Sequence, residues 1–321
     1  MKMKVLVTGA SGFVGSALCR HLIARGFRPT GVVRHLPPNP VPGVDYQIVP
    51  DLGKSKLWNE ILVGVDVVVH CAARAHVMRD SAIDPLAVFR EVNVEGTRYL
   101  AEHAMNHGIK RFVYISSIKV NGEGTSERPF KADDKPSPED YYGISKWEAE
   151  QVLQKIVCNS KLEIVIIRPP LVYGPKVRAN FFKIMKLVKS GLPLPFGAIH
   201  NSRSFVALDN LVDLILTCLK HPAAANQTFL VSDGDDLSTP ELLRRIAKAF
   251  GKSAPLIPIP LFLLRTTALL LGKTDLAERL CGSLQIDIYK TKKLLGWAPK
   301  VSVDEALLET TKHYLKNFDR H

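Results

Sequence analysis

The sequence predicts an α/β protein: a doubly wound parallel (Rossmann-type) sheet with a smaller, mostly helical C-terminal region. Three observations predict it. Short β-rich runs alternate with longer helical patterns through the first half, the rhythm of parallel strands joined by helical crossovers. Residues 65–69 and 164–167 are near-continuous Val and Ile runs, which suit strands covered on both faces. A glycine-rich segment follows the first β-rich run directly.

Taken in order, residues 5–8 read as the first strand and 13–25 as the first helix. Strands follow at 29–34, 46–49 and 66–70, then helical periodicity at 85–107. A strand at 111–116, a helix at 146–157 and a strand at 162–168 complete a first domain, residues 1–168. Beyond Arg168 the rhythm breaks at Pro169, Pro170, Pro175, Pro193 and Pro195. Helical patterns return at 181–189, 209–219, 239–250 and 303–314, with strands at 204–208 and 228–231. Residues 169–321 therefore read as a second region packed on the C-terminal edge of the sheet.

A chain of 321 residues with 46% apolar and 23% charged residues is an ordinary globular composition. It excludes a disordered, collagen-like or disulfide-stapled protein, and it is long enough to bury a large core unaided. The formal charge of +12 suits an anionic partner, although a solvated basic surface is the default reading. Between Glu163 and Asp209 lie seven basic residues and no acidic one, so bound phosphate is expected there. Five scattered cysteines, without C-x-x-C or a metal-spaced His cluster, predict free and mostly buried thiols, no metal and a reducing compartment. The N-terminus lacks a signal-peptide pattern, which predicts a cytoplasmic protein. The most apolar segment, 257–271, is broken by Pro258, Pro260 and Arg265 and falls short of a bilayer span. It reads as a core or interface segment, with peripheral membrane contact left open.

In the glycine-rich segment, Gly9, Gly12 and Gly15 recur at every third position just before a helix. Such glycines let a diphosphate approach backbone N–H groups at a helix N-terminus, where the helix dipole favours negative charge. Gly9, Ser11, Gly12, Phe13, Val14 and Gly15 are thus the expected dinucleotide cradle. The second strand ends in Arg34-His35, without a carboxylate. An acidic residue there would serve NAD, whereas Arg can take the 2′-phosphate of NADP. NADP(H) is therefore favoured, with Ser11 as a second contact and NAD(H) as the alternative.

Tyr142 and Lys146 stand four residues apart, on one helical face. A phenol that transfers a proton at neutral pH needs a nearby cation to stabilise its phenolate, and Lys146 can supply it.

With these motifs the chain resembles the extended short-chain dehydrogenase/reductases, of the nucleotide-sugar epimerase and reductase kind. Further matching segments are His70-Cys71-Ala72-Ala73, Asn93-Val94-Glu95-Gly96-Thr97, Ser116-Ser117, Arg168-Pro169-Pro170-Leu171-Val172-Tyr173-Gly174-Pro175 and Leu295-Gly296-Trp297-Ala298-Pro299. The resemblance implies that Tyr142 exchanges a proton with the sugar oxygen and that Ser117 hydrogen-bonds the same oxygen. It implies that Lys146 holds the nicotinamide ribose. Asp51 and Leu52 would flank the adenine, Ala72, Ala73 and Pro169 would line the cofactor channel, and Asn93 would stand near the active site. Asn180 and Arg203 would contact the diphosphate of a UDP-sugar, although Asn180 also reads as a helix cap and Arg203 as a partner of Asp209. The helices at 85–107 and 146–157 would form a homodimer bundle.

Dehydratases of this family carry Asp-Glu after the catalytic hydroxyl residue, where this chain has Ile118-Lys119; dehydration is not expected. The reading that follows is an NADPH-linked 4-ketoreductase of a UDP-4-keto-6-deoxy-N-acetylhexosamine in surface-polysaccharide synthesis. A UDP-sugar 4-epimerase that retains NAD uses the same residues and is the main rival. A non-catalytic dinucleotide sensor is a rival of another class, disfavoured by the intact Ser117, Tyr142 and Lys146. Nucleic-acid binding is not expected: Phe181 and Phe182, the aromatics in the basic stretch, read as the apolar face of a helix.

Overall fold

The computed structural model describes residues 3–75, 84–158, 160–272 and 274–318. Its elements run β1 (Lys4–Thr8), α1 (Phe13–Ala24), β2 (Arg28–Val33), β3 (Asp45–Ile48), α2 (Trp58–Ile61), β4 (Val67–His70), α3 (Pro85–Arg90), α4 (Gly96–Asn106), β5 (Arg111–Ile115), α5 (Tyr141–Cys158), β6 (Glu163–Arg168) and β7 (Leu171–Tyr173). They continue with α6 (Ala179–Lys189), β8 (Phe205–Ala207), α7 (Leu208–Cys218), β9 (Gln227–Leu230), α8 (Thr239–Ala249), α9 (Leu261–Leu270), α10 (Thr274–Cys281), α11 (Tyr289–Leu295) and α12 (Val303–Phe318).

Seven strands form one sheet in the order β3-β2-β1-β4-β5-β6-β9, and every pairing within it is parallel. Strand order reverses between β1 and β4, so a crevice opens at their C-terminal ends, the usual ligand position in such a sheet. Period-two alternation decides which side chain serves which face. Val5, Val7, Val67 and Val69 join the core under α1 and α7. Leu6, Val68, Phe112 and Tyr114 join the core under α4 and α5. A third cluster, with Tyr173, Phe181, Met185, Ile246, Leu307 and Tyr314, holds the C-terminal helices together.

Four expectations need correction. The strand expected at 228–231 is not part of a separate region: β9 pairs with β6 and completes the main sheet, while α7 shares the core of α1. The helix expected at 85–107 carries one π-helical stretch, Glu91–Glu95, where the pattern alone cannot signal an extra residue per turn. The thiols are free, but Cys158 is exposed and only Cys19 and Cys218 are fully buried. Segment 257–271 is not core, because α9 has no buried residue.

Local chemistry explains several boundaries. Asp84 caps α3 by accepting from the Ala87 N–H at 3.0 Å, with Pro85 in the first turn. Ser238 caps α8 in the same way, accepting from the Glu241 N–H at 3.2 Å. Gly296 ends α11 with a left-handed backbone, φ +57°. No described helix is long and apolar enough to cross a membrane.

Candidate active site

The glycine turn joins β1 to α1 at the sheet's switch point. Gly9 has φ +65°, and a Cβ on it would lie 2.9 Å from the Ala72 nitrogen. A Cβ on Gly15 would lie 2.2 Å from the Gly9 carbonyl oxygen. Glycine is therefore obligatory at both positions, for backbone conformation at the first and close approach at the second. Gly12 caps α1 without a side-chain bond, and no acidic residue stands in its first turn. The backbone donors of that turn, with the positive end of the helix dipole, thus face the crevice and fit a dinucleotide diphosphate.

The neighbouring strand ends are tied by a buried relay. The Ala72 N–H donates to Thr8 Oγ1 at 3.2 Å, Thr8 Oγ1 lies 2.6 Å from His70 Nδ1, and His70 Nε2 lies 3.0 Å from Thr97 Oγ1. Thr97 Oγ1 donates to the Asn93 carbonyl at 2.6 Å. Since that hydroxyl has spent its proton, the network assigns the ring proton to Nε2 and makes Nδ1 the acceptor from Thr8. Burial, then the charge of Lys146, pulls His70 down to about 3, so the imidazole is neutral. Asn93, set inward by the π-helical stretch, donates to Ser145 Oγ at 2.9 Å and to the Arg74 carbonyl at 3.1 Å, and accepts from the Arg74 N–H at 2.7 Å. It holds the post-β4 loop, which carries Ala72 and Ala73, against α5.

Tyr142 and Lys146 both lie in the first turns of α5, on one helical face as their spacing predicts. Ser117 caps the short 3-10 turn after β5, accepting from the Lys119 N–H at 3.3 Å. The Ile118 N–H bonds the Pro169 carbonyl at 2.9 Å, joining that turn to the end of β6. Burial, with Asp140 adding, pushes the Tyr142 phenol well above its ordinary value. Burial pulls Lys146 down to about 7, against the opposing charge of Glu150, and its Nζ stands 4.1 Å from the centre of the Tyr114 ring. Burial thus disfavours the charged form of both groups, phenolate at Tyr142 and ammonium at Lys146.

Behind Lys146 lies a buried ion pair that the motifs did not single out. Arg168 donates to Glu150 through Nε at 3.0 Å and Nη2 at 2.5 Å, and Ser116 donates to the same carboxylate at 2.5 Å. Arg168 Nη1 reaches Asn121 Oδ1 at 2.9 Å. This bidentate pair fastens α5 to the ends of β5 and β6 and so sets the position of Lys146. Its signal was present in the spacing, since Glu150 is four residues beyond Lys146 and shares its helical face. Lys119, which stands where dehydratases carry Glu, is occupied by Asp140 at 2.5 Å and Glu123 at 2.7 Å.

Arg34 and Asp51 are both exposed at the outer side of the crevice, after β2 and β3. Asp51 accepts from the Gly53 N–H at 2.8 Å, and Leu52 packs beside Gly96. In the C-terminal half, Arg203 is half-buried and donates to the Gly282 carbonyl at 2.9 Å. It does not pair with Asp209, which lies 3.3 Å from His21 instead. Burial lowers the Arg203 guanidinium from its ordinary value, with Arg279 adding to the effect and Glu123 opposing it. Arg279, far away in the chain, thus acts on Arg203, a proximity invisible in the sequence. Asn180 lies within the first turn of α6, whose cap is Arg178, so it is not the helix cap. No group of three or more metal-ligating side chains occurs among the described residues.

The model of the NAD dependent epimerase/dehydratase family matches residues 5–232. The chain is 47% identical to a UDP-glucose 4-epimerase of Vibrio cholerae, over 100% of this chain and 98% of that protein. It is 30% identical, over 81% of this chain and 76% of the relative, to the N-acetyl-α-D-glucosaminyl-diphospho-ditrans,octacis-undecaprenol 4-epimerase of Escherichia coli O157:H7. Among solved structures, a UDP-glucose 4-epimerase of Thermotoga maritima with UDP-glucose superposes with TM-score 0.79 at 24% identity, covering 98% of this chain and 99% of that one. The chain belongs to the NAD dependent epimerase/dehydratase family and is an enzyme of that family.

Proposed function

We propose that this family member is a UDP-sugar 4-epimerase that keeps its nicotinamide dinucleotide bound through turnover. The observation that carries this reading over a ketoreductase is the full-length likeness to the Vibrio cholerae UDP-glucose 4-epimerase. Gly9, Ser11, Gly12, Phe13, Val14 and Gly15 would hold the dinucleotide diphosphate, Asp51 and Leu52 the adenosine, and Ala72, Ala73, Asn93 and Pro169 the channel to the ring. When bound, that cofactor supplies the hydride acceptor and donor at C4. Tyr142 Oη takes the proton of the 4-hydroxyl and later returns it, and Ser117 Oγ hydrogen-bonds the same oxygen. Lys146, held by Glu150 and Arg168, stabilises the phenolate. Arg203, Arg279 and Asn180 grip the UDP diphosphate, Arg being suited to bidentate contact, and leave the sugar able to present either face. Residues 1–168 would serve chiefly the cofactor and 169–321 the sugar nucleotide, in a cytoplasmic homodimer joined through α4 and α5.

A second reading, the NADPH-linked 4-ketoreductase, is favoured by one observation: Arg34 is exposed where NAD enzymes carry a carboxylate. One experiment separates the two. The purified protein, without added cofactor, is incubated with UDP-glucose and, separately, with UDP-4-keto-6-deoxy-N-acetylglucosamine plus NADPH or NADH. The epimerase reading predicts UDP-galactose in the first tube and no stoichiometric loss of reduced cofactor in the second. Loss of NADPH matched to substrate, with no epimer formed, would replace it with the reductase.

A further inference from the structure

We propose that Lys119 is a positioning residue that holds the two proton-handling hydroxyls, Ser117 and Tyr142, in register with each other. The inference rests on the reading of Tyr142 as the proton-transferring group, and it applies to the epimerase and the ketoreductase alike.

Lys119 lies in the 3-10 turn after β5 and is half-buried, as are Ser117 and Tyr142. Its backbone N–H donates to Ser117 Oγ at 3.3 Å. That contact engages a lone pair of the hydroxyl and leaves its proton for another acceptor, such as a substrate oxygen. The side chain of Lys119 reaches the other hydroxyl's helix: Nζ donates to Asp140 Oδ2 at 2.5 Å. The second oxygen of that carboxylate accepts from the Gly143 N–H at 2.6 Å, and the Asp140 carbonyl accepts from the Ile144 N–H at 2.9 Å. Asp140 therefore caps the start of α5, and Lys119 fixes the cap. The backbones meet as closely, since a Cβ on Gly143 would lie 2.9 Å from the Lys119 carbonyl oxygen. Glycine beside Tyr142 thus lets α5 begin directly on the turn that carries Ser117.

The same ammonium offsets charge. Asp140 adds to burial in raising the Tyr142 phenol, and Glu123 brings a second carboxylate to Lys119 Nζ at 2.7 Å. Also around Tyr142 stand Lys146 in α5, Tyr114 on β5, and the Phe89 ring of α3, which meets Tyr142 edge-on beneath the Arg74 guanidinium. Arg90 of α3 is engaged by Glu148. Without Lys119, two carboxylates would stand uncompensated at the start of α5, and the phenolate would form only at higher pH.

The test compares wild type with Lys119→Met, Lys119→Arg and the double variant Lys119→Met/Asp140→Asn, in which Asn keeps the cap without its charge. Two quantities are measured: the pH profile of kcat for whichever conversion wild type performs, and hydrogen exchange of residues 141–146 by mass spectrometry. In Lys119→Met the limb set by Tyr142 should move up by about one pH unit. Exchange should be about threefold faster there, with melting temperature unchanged. Lys119→Arg should restore both quantities, and the double variant should reverse most of the shift of the limb. Lys119→Gln replaces Lys119→Met in the comparison if the latter does not fold. An unmoved limb in the folded single variant, or a limb displaced as far in the double variant, would overturn the proposal. If wild type performs neither conversion, the functional reading fails and exchange alone decides. Faster exchange that Lys119→Arg reverses would then support the positioning role, and unchanged exchange would overturn it.

Discussion

The crevice around β1, β4 and α5 and the α9–α10 corner are built on opposite terms. In the first, side chains and backbone are pinned from several directions: Gly15 has no room for a methyl group, and Lys146, His70 and Glu150 sit in the core. In the second, α9 has no buried residue, and the half-buried Arg203 meets the end of α10 through the Gly282 carbonyl. The chemistry thus rests on a part of the molecule that cannot yield without unfolding. Substitutions in the first region should therefore cost both stability and turnover, whereas those in the second should cost binding alone.

The largest effect expected is that of Tyr142→Phe. Loss of the proton-transferring hydroxyl should lower kcat about 10²–10⁴-fold, with dinucleotide binding by fluorescence quenching unchanged. Next comes Arg168→Met, which strands a buried carboxylate beside Lys146. Urea denaturation should show a loss of about 3–5 kcal/mol, and a loss within the error of the fit would show that the pair does not brace the helix. For His70 the pH dependence has a definite sign. Burial holds its folded value at about 3 against an ordinary 6.5, so below pH 6.5 the unfolded chain takes up a proton that the folded one refuses. This contribution to stability is complete above about pH 6.5 and falls steadily down to about pH 3. Between about pH 7 and pH 5, wild type should lose roughly 2 kcal/mol more than His70→Asn. The smallest effect sharpens the contrast from the other side. Arg203→Lys should raise KM for the UDP-sugar about tenfold through loss of bidentate contact, with kcat and melting temperature unchanged. A fall in melting temperature with that substitution would erase the distinction between the two regions.

The same contrast decides what could be read from the sequence. The glycine turn, the strand rhythm and the Tyr142–Lys146 spacing are local patterns imposed by backbone geometry, and the structure reproduces those elements to within a residue or so at most boundaries. Strand β9 was legible as a strand but not as part of the main sheet, because a parallel crossover can return from any distance. The π-helical stretch at Asn93 is a packing accommodation with no periodic signature. The effect of Arg279 on Arg203 depends on how α10 meets the segment before β8 in space. Segment 257–271 shows the limit most clearly: its apolarity predicts burial, and only the fold reveals that α9 has no buried residue.

Retention of the migrating hydrogen tests the central claim most directly. UDP-glucose carrying deuterium at C4 would be incubated with the purified protein in light water without added cofactor, and the epimer analysed by NMR. The account predicts UDP-galactose that keeps its deuterium at C4, because hydride leaves and returns within one closed site. Exchange of the label with solvent, or no epimer unless NADPH is added and consumed, would contradict it.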